Sequence, residues 1–188
     1  TYLDKAEYSK LAIHVKERLK HYSDLGHQPY FIPTGGSDSL GVCGYINASA
    51  ELAIDFNENQ ITPGAIILAT GSGGTQAGLL LGCGLHSIDS QIIGFAVCDD
   101  EAYFKNKIQS DMQAWLRCRR SYEPSRVPEI LIIDKYKGPR YGACLPEVYE
   151  VIKTIARLEG IILDPVYTGK AFYGMLREIE RGRFDSVS

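Results

Sequence analysis

Hydrophobic residues along this chain recur in two patterns, periodic stretches and short continuous runs. The periodic stretches have the spacing of amphipathic helices, and they lie at residues 4–25, 40–58, 75–86, 101–120 and 145–159, with a last one that follows the loop at 164–169 and ends near Arg181. The continuous runs are typical of buried parallel strands, and they lie at residues 65–70, 91–97 and 130–133, with shorter candidates at 29–32 and 161–163. Because strands alternate with helices, the pattern predicts an α/β fold, with a largely parallel twisted sheet and helices on both faces in three layers.

A turn-rich segment near the start, Pro33-Thr-Gly-Gly-Ser-Asp-Ser39, separates the first helix and strand from the rest of the chain. Clusters of glycine and serine mark loops, so we place a boundary between two lobes here, with residues 1–39 on one side and residues 40–188 on the other. The chain opens on Thr1 rather than on methionine, and its last residues follow a helix-like stretch. We therefore expect a piece of a longer polypeptide, cut at both ends.

Composition narrows the class of protein. Of the 188 residues, 45% are apolar and 23% are charged, with a formal net charge of −3, as in ordinary globular domains. A mildly acidic chain without a basic stripe argues against a nucleic-acid partner, and no apolar run approaches the roughly 20 residues that a membrane helix needs. The 5 cysteines include no C-x-x-C pair, and the 4 histidines share no metal-ligand spacing. We therefore expect no metal site, no disulfide framework, and a reduced, cytoplasmic protein.

The segment Gly71-Ser-Gly-Gly-Thr75 directly follows a buried strand and opens a helix of small residues. In parallel α/β sheets, ligands bind at the carboxyl ends of the strands. Glycines let the backbone approach a ligand, and the free N–H groups at a helix start attract anions. The pattern predicts a phosphate site formed by Gly71, Ser72, Gly73, Gly74 and Thr75. The alternative is a tight turn in which the small residues serve packing alone.

The residue after this segment, Gln76, bears on which phosphate could bind. A nucleoside-triphosphate loop ends in Gly-Lys followed by Ser or Thr, which this segment lacks. The dinucleotide fingerprint G-x-G-x-x-G is matched by Gly71 and Gly73, but Gln76 stands at the third glycine. Asp99, just past the second strand, could bind a ribose in such a fold. A non-catalytic Rossmann-type module that binds a nucleotide or another phosphate therefore stays open.

Two further loops present tyrosines. The segment Leu163-Asp-Pro-Val-Tyr-Thr-Gly-Lys-Ala171 places Tyr167 and Thr168 just before a helix, where Thr168 could also be a simple helix cap. The segment Lys137-Gly-Pro-Arg-Tyr-Gly142 presents Tyr141 on a turn, a position typical of packing. By themselves these tyrosines indicate no particular chemistry.

Four stretches carry a resemblance to a known family, namely Ile32–Ser37 with Leu40-Gly41 and Gly44-Tyr45, Ala69–Gly78, Pro139–Gly142 and Leu158–Lys170. In order and approximate spacing they resemble the fold type II, tryptophan-synthase-β-like family of pyridoxal-phosphate enzymes, and within it the branch of D-cysteine desulfhydrase and 1-aminocyclopropane-1-carboxylate deaminase. The resemblance covers essentially the whole chain. It implies a two-lobed enzyme in which residues 1–39 are a remnant of the smaller lobe and residues 40–188 form most of the larger, cofactor-binding lobe.

The resemblance also implies roles for the predicted site residues. The backbone of the turn at 71–75 would hold the phosphate of pyridoxal 5′-phosphate. Tyr141 and Tyr167 match the two family tyrosines on the substrate side and are the catalytic candidates. Thr168 matches the residue beside the pyridine nitrogen, which is a glutamate in the deaminase and a threonine in the desulfhydrase. A carboxylate keeps that nitrogen protonated more strongly than a hydroxyl does, so Thr168 favours the desulfhydrase.

The reaction implied by the resemblance is α,β-elimination from a small amino acid, which gives pyruvate, hydrogen sulfide and ammonia, and the enzyme would be a homodimer. The family's Schiff-base lysine and substrate loop precede the stretch that matches Thr1, and Lys170 does not occupy the position of that lysine. We therefore expect this chain alone to be inactive. The alternatives are an enzyme like 1-aminocyclopropane-1-carboxylate deaminase, a catalytically dead relative, and the nucleotide-binding module described above.

Overall fold

The computed structural model describes residues 3–119, 124 and 126–185. The chain separates into two compact units, one that ends at Thr34 and one that begins at Gly35. This division falls inside the loop at 33–39, where the sequence places a boundary between lobes. The assignment of the two units to a smaller and a larger lobe remains a prediction.

The first unit contains two helices, α1 (Lys5–Tyr8) and α2 (Leu11–Asp24). The single helix predicted over residues 4–25 is therefore interrupted after its first turn. Asp4 starts α1 through a capping box with Glu7, in which each side chain binds the backbone N–H of the other residue. No described side chain of α2 is fully buried within this unit.

The second unit contains the sheet and the remaining helices. A 3-10 turn (Thr34–Gly36) spans the division between the units, and the elements of the second unit are, in chain order, α3 (Cys43–Glu58), β1 (Ala65–Thr70), α4 (Gly74–Leu85), β2 (Gln91–Ala96), α5 (Glu101–Cys118), β3 (Leu131–Ile133), α6 (Pro146–Glu159) and α7 (Thr168–Glu180). Asp100 caps α5 by accepting a 2.8 Å hydrogen bond from the N–H of Tyr103. Gly160 ends α6 in the left-handed conformation, with φ of 68°. The helix predicted to reach residue 120 ends at Cys118, and residue 120 itself lies outside the described residues.

The three long apolar runs form one parallel sheet in the order β1-β2-β3. Ala65 lies opposite Gln91 in the first pair of strands, and Ile93 lies opposite Leu131 in the second. Side chains alternate between the two faces of a strand, and both faces here are covered. One face packs against α3, α4 and α5 in the larger core, and the other packs against α7 around Phe95. The predicted α/β fold with helices on both faces of a parallel sheet is confirmed.

Two predicted short strands are wrong. Residues 29–32 and residues 161–163 contain no strand, and neither segment pairs with β1, β2 or β3. Their side chains are largely exposed, and 82% of Ile162 is accessible to solvent. An apolar run becomes a strand only where a neighbouring strand satisfies its backbone N–H and C=O groups, and within the described part of the chain these two runs have no such neighbour.

A buried carboxylate holds the far end of α7 against the segment that follows β3. Glu178 is only 3% exposed and lies between Lys135, Tyr136, Arg181 and Arg183. Burial opposes its ionisation, but hydrogen bonds from Lys135, Tyr136 and Arg181 outweigh burial and lower the pKa of Glu178 to about 2. The carboxylate is therefore ionised in the folded state across the ordinary pH range.

We expect Glu178→Gln to lower the free energy of unfolding at neutral pH by about 2 kcal/mol, because it removes a charge that several donors share. The folded pKa of about 2 lies below the ordinary glutamate value of 4.5, so this contribution is present above pH 4.5 and is lost as pH falls toward 2. Urea unfolding at a series of pH values measures both effects. Glu180→Gln, which breaks an exposed pair with Arg177 on the same helix, is the control and should change stability by less than about 1 kcal/mol. Equal losses in the two variants would contradict this account.

Candidate functional site

The predicted site residues gather where the sheet meets the start of α7. The turn at 71–73 leaves the carboxyl end of β1, and Val97 to Asp99 leave the carboxyl end of β2. Tyr167 directly precedes α7 and lies against the turn, since a Cβ added to Gly71 would come within 2.7 Å of Cε1 of Tyr167. Parallel sheets bind ligands at this edge, so the glycine turn and one of the predicted tyrosines meet where chemistry is expected.

The glycine turn has a conformation that glycine alone adopts easily. Gly73 has φ of 90°, in the left-handed region, and a Cβ there would lie 2.9 Å from Cγ1 of Ile108. A Cβ on Gly74 would lie 2.5 Å from Oγ of Ser37. The small residues therefore allow close packing around the turn, as the packing interpretation requires, and Gly73 and Gly74 are buried beneath Ile108 and Ser37.

Ser37, which the sequence analysis names only within a stretch that carries the family resemblance, contacts the glycine turn. Its Oγ accepts a 3.1 Å hydrogen bond from the N–H of Gly74 and donates a 2.7 Å hydrogen bond to Oγ of Ser72. Its carbonyl oxygen accepts a 2.9 Å hydrogen bond from Nζ of Lys107. Ser37 therefore already binds one of the amides at the start of α4. The Gly-Gly-Ser order before it was the available signal, because it places a hydroxyl on a flexible loop.

A phosphate ester fits this turn by the kinds of donor present. The first amides of a helix have no partner within the helix, and the helix dipole favours an anion there. The hydroxyl of Ser37 lies beside the amide of Gly74 and donates to the hydroxyl of Ser72, so two hydroxyl groups stand near the start of α4. Thr75, in the first turn of α4, is half-buried. This donor set could hold a phosphate group once Ser37 shares or releases the amide that it binds.

The two predicted tyrosines form a pair. The hydroxyl oxygens of Tyr141 and Tyr167 are 2.6 Å apart, so one of them donates to the other. Their rings meet edge to face, with centroids 5.9 Å apart and planes at 77°. Tyr141 is 54% exposed and Tyr167 is 38% exposed, so both hydroxyls can reach a molecule bound outside the sheet edge. The pair joins two loops that are distant in sequence.

The proton of Tyr167 is firmly held. Its hydrogen bond with Tyr141, together with burial, raises the pKa of Tyr167 to about 12. The hydroxyl is therefore neutral near pH 7. It can donate or accept a hydrogen bond, and it becomes a strong base only when a reaction removes its proton.

Thr168 contacts a carboxylate that the sequence analysis did not single out. Its Oγ1 donates a 2.6 Å hydrogen bond to Oδ2 of Asp164 and accepts a 2.9 Å hydrogen bond from the N–H of Asp164. The same carboxylate accepts from the N–H groups of Val166, Tyr167 and Thr168. Burial alone would raise the pKa of Asp164, but these hydrogen bonds lower it to about 2. The order Asp-Pro before a helix start was the signal for such a turn.

Gln76 explains why the dinucleotide fingerprint fails at its third glycine. This side chain is fully buried and accepts a 2.9 Å hydrogen bond from Oγ1 of Thr70. Its amide donates to the carbonyl oxygens of Ile92 and Leu131, at 3.2 and 2.9 Å. A Cβ on Gly94 would overlap its Oε1. Gln76 thus joins α4 to the sheet, and it does not face the turn.

The described residues form no cluster that could hold a metal ion and no helix that could cross a membrane. Across residues 3–119, 124 and 126–185, no group of three or more His, Cys, Asp or Glu is arranged to hold a metal ion. None of the helices in this part of the chain combines the length and the apolar character that crossing a bilayer takes. All five cysteines are free thiols. Cys98 donates to the carbonyl oxygen of Gly71 at 3.6 Å, and burial raises the pKa of its thiol.

Comparisons with known proteins agree on one family. Residues 4–187 match the family described as pyridoxal-phosphate dependent enzyme. The bifunctional D-cysteine desulfhydrase/1-aminocyclopropane-1-carboxylate deaminase, mitochondrial, of Arabidopsis thaliana is 36% identical over 189 residues, which is 95% of this chain and 44% of the plant protein. A crystal structure of an ACC deaminase homologue superposes with a TM-score of 0.77 at 34% identity, over 96% of this chain and 53% of that chain. The chain spans about half the length of the relatives that it matches.

Proposed function

This chain belongs to the pyridoxal-phosphate dependent enzyme family, and from that premise we propose that it supplies much of the cofactor site of a lyase or deaminase acting on a small amino acid. The observation that carries the proposal is the tyrosine pair beside the glycine turn. Tyr141 and Tyr167 share a hydrogen bond, and Tyr167 packs against Gly71. The proposal concerns the full-length protein, because the chain spans 44% of its plant relative.

Different residues of this chain have different roles in the proposed reaction. Bound pyridoxal phosphate supplies an electron sink for the bonds at the α-carbon of an amino acid. The amides at the start of α4, with Ser72 and Thr75, bind the phosphate. Tyr141 and Tyr167 orient the substrate and hold a proton at their shared hydroxyls. Gly71 lets the ring of Tyr167 lie close to the turn.

The finer proposal is α,β-elimination from D-cysteine, which releases pyruvate, hydrogen sulfide and ammonia. Support comes from Thr168, which resembles the threonine that stands beside the pyridine nitrogen in the desulfhydrase. Its hydroxyl proton is donated to the ionised Asp164, so at its free lone pair Thr168 can only accept a hydrogen bond. The second candidate is deamination of 1-aminocyclopropane-1-carboxylate, because the plant relative is described as having both activities.

Product analysis of the full-length protein tests the proposal. The protein is loaded with pyridoxal phosphate and incubated in turn with D-cysteine, L-cysteine and 1-aminocyclopropane-1-carboxylate. We expect sulfide and pyruvate from D-cysteine, and little 2-oxobutyrate from the cyclic substrate. Turnover of the cyclic substrate alone would replace the desulfhydrase by the deaminase. Uptake of cofactor without turnover of any amino acid would favour the catalytically dead relative.

Thr168→Glu is expected to slow elimination from D-cysteine by about tenfold, the equivalent of one hydrogen bond to a charged group. The substitution removes the donor to Asp164 and places a second carboxylate beside it, and like charges at this distance repel. Thr168→Ser, which keeps the hydroxyl, is the matched control and should stay close to wild type. The measurement is kcat from the rate of pyruvate release. Unchanged turnover in Thr168→Glu would remove the argument for the desulfhydrase over the deaminase.

Three predictions from the sequence remain part of the proposal. We assign residues 1–39 to the smaller lobe and residues 40–188 to the larger, cofactor-binding lobe. A homodimer follows from family resemblance, and a cytoplasmic location follows from the cysteine pattern.

A further inference from the structure

Lys170 is a completely buried lysine in the first turn of α7, with 0% of its surface exposed. Its Nζ donates to three main-chain carbonyl oxygens, those of Val97 at 2.9 Å, Lys137 at 2.6 Å and Arg140 at 3.4 Å. Within the part of the chain that the structure describes, no carboxylate forms an ion pair with it. A lysine in this setting is unusual, because ammonium groups are seldom buried without a paired anion.

The position is unfavourable for a cation in two independent ways. Burial lowers the pKa of Lys170, because desolvation penalises the charged form. The residue also lies at the start of a helix, where the dipole favours negative charge. An apolar side chain would pack there without either cost. The presence of a lysine at this position is therefore explained by the segments that its three hydrogen bonds join.

The three carbonyl groups belong to two segments of the site. Val97 directly follows β2 at the carboxyl edge of the sheet, and Lys137 and Arg140 belong to the turn of residues 137–142 that presents Tyr141. Lys170 itself is three residues after Tyr167 on the chain. Its ammonium thus joins the sheet edge, the turn that carries one tyrosine and the helix that follows the other.

The turn of residues 137–142 makes few other hydrogen bonds. The N–H of Ala143 donates to the carbonyl oxygen of Arg140 at 3.2 Å, and the N–H of Lys137 donates to the carbonyl oxygen of Asp134 at 3.4 Å. Nζ of Lys137 reaches the carbonyl oxygen of Asp99 at 3.2 Å in an exposed position. Of these contacts, none ties the turn to α7. Two contacts make that link, the buried ammonium of Lys170 and the hydrogen bond between Tyr141 and Tyr167 at the start of α7.

We propose that Lys170 is a positioning residue, which holds the turn of residues 137–142 against β2 and thereby sets the distance between the hydroxyl groups of Tyr141 and Tyr167. The inference rests on the proposed function in that the tyrosine pair is taken to face the substrate. It adds a role for a buried lysine that acts through its hydrogen bonds to three main-chain carbonyl oxygens. The anchoring of the turn, however, can be measured without any turnover.

Lys170→Met in the full-length protein tests the inference, since methionine keeps most of the volume and removes all donors. We expect amide hydrogen exchange in residues 138–143 to accelerate by at least about tenfold while exchange in β1 and β2 changes little. We expect kcat to fall by about tenfold with KM within about twofold, because misplacement of an orienting group acts on the chemical step. Met112→Ala, a buried change on α5 away from the site, is the control for general loss of stability.

The results distinguish failure of the positioning role of Lys170 from failure of the proposed function. Faster exchange in the turn together with the selective fall in kcat supports the inference. Exchange in residues 138–143 that matches wild type, or that rises equally in Met112→Ala, overturns it. If wild type turns over no amino acid, the proposed function fails, while the exchange experiment still decides whether Lys170 anchors the turn. Where Lys170→Met does not accumulate as folded protein, Lys170→Gln, with donors on a shorter side chain, gives the same comparison.

Discussion

Replacing Tyr167 by phenylalanine in the full-length protein is expected to lower kcat for elimination by about 100-fold, the lower range for loss of a group that moves or orients a proton. The ring should stay in place, because it packs against Gly71 and the substitution keeps all ring atoms. Only the hydroxyl and its 2.6 Å hydrogen bond to Tyr141 are lost. Rates of pyruvate and sulfide release at saturating D-cysteine give the measurement.

The partner tyrosine provides an internal check on this expectation. Tyr141→Phe removes the other half of the same hydrogen bond, so the double variant should be about as impaired as the more affected single variant, since effects within one unit are not additive. Tyr103→Phe, at an exposed tyrosine on α5, is the control and should match wild type. Losses in the double variant that multiply would show that the two hydroxyls act independently.

The pH dependence of the Tyr167 effect follows from the same geometry. The pKa of Tyr167 is raised to about 12 by its bond to Tyr141 and by burial, so its hydroxyl does not titrate in the neutral range. The ratio of wild-type kcat to Tyr167→Phe kcat should therefore be constant between about pH 6 and pH 9. A ratio that rises tenfold per pH unit would indicate that ionised Tyr167 is the active form.

Gly73→Ala is expected to weaken binding of pyridoxal phosphate by about 100-fold. Gly73 has φ of 90°, and the added Cβ would lie 2.9 Å from Cγ1 of Ile108, so the turn must shift and take the amides at the start of α4 with it. Hydrogen bonds to a charged group contribute about 1.5 kcal/mol or more each, and the loss of two corresponds to about this factor. Titration of the cofactor-free protein with pyridoxal phosphate, followed by absorbance, measures the affinity.

Gly160→Ala is the control that separates the effect of backbone strain from the effect of the shape of the glycine turn on cofactor binding. Gly160 also has a left-handed φ, of 68°, but a Cβ there would meet nothing within 4 Å, and it lies at the end of α6. Gly160→Ala should cost a similar strain, about 1 kcal/mol of stability, and leave cofactor affinity unchanged. An equal loss of affinity in both variants would mean that destabilisation, and not the shape of the turn, explains the result.

The central strands were predictable because their signal is local and strong. β1 and β2 are continuous apolar runs flanked by turn residues, and burial on both faces requires that composition. The runs at residues 29–32 and 161–163 have the same local appearance but contain no strand. Whether such a run joins a sheet depends on a partner strand, which its own residues do not encode. The break after α1 likewise lies where Oγ of Ser9 donates a 2.6 Å hydrogen bond to the carbonyl oxygen of Ala6, a local contact that the hydrophobic pattern does not reveal.

The family and its cofactor were also predictable, and both are confirmed by the comparisons. The roles of the glycine turn, Tyr141, Tyr167 and Thr168 stay predictions. The sequence predicts which residues belong to the site but not the contacts between them. The tyrosine pair joins two loops that only the packing of β2, β3 and α7 brings together. Ser37 and Asp164 were overlooked for a similar reason. Their hydrogen bonds to the turn and to Thr168 arise from loop conformations that no periodicity reveals.

The buried amide of Gln76 has a consequence for how this architecture can diversify. A glycine at that position would complete a dinucleotide fingerprint on paper, yet it would strip two strand carbonyls of their donor and open a void beneath Gly94. A one-residue change that completes the dinucleotide pattern would therefore lower the stability of the core, so the sequence of this turn is constrained from beneath as well as by any ligand.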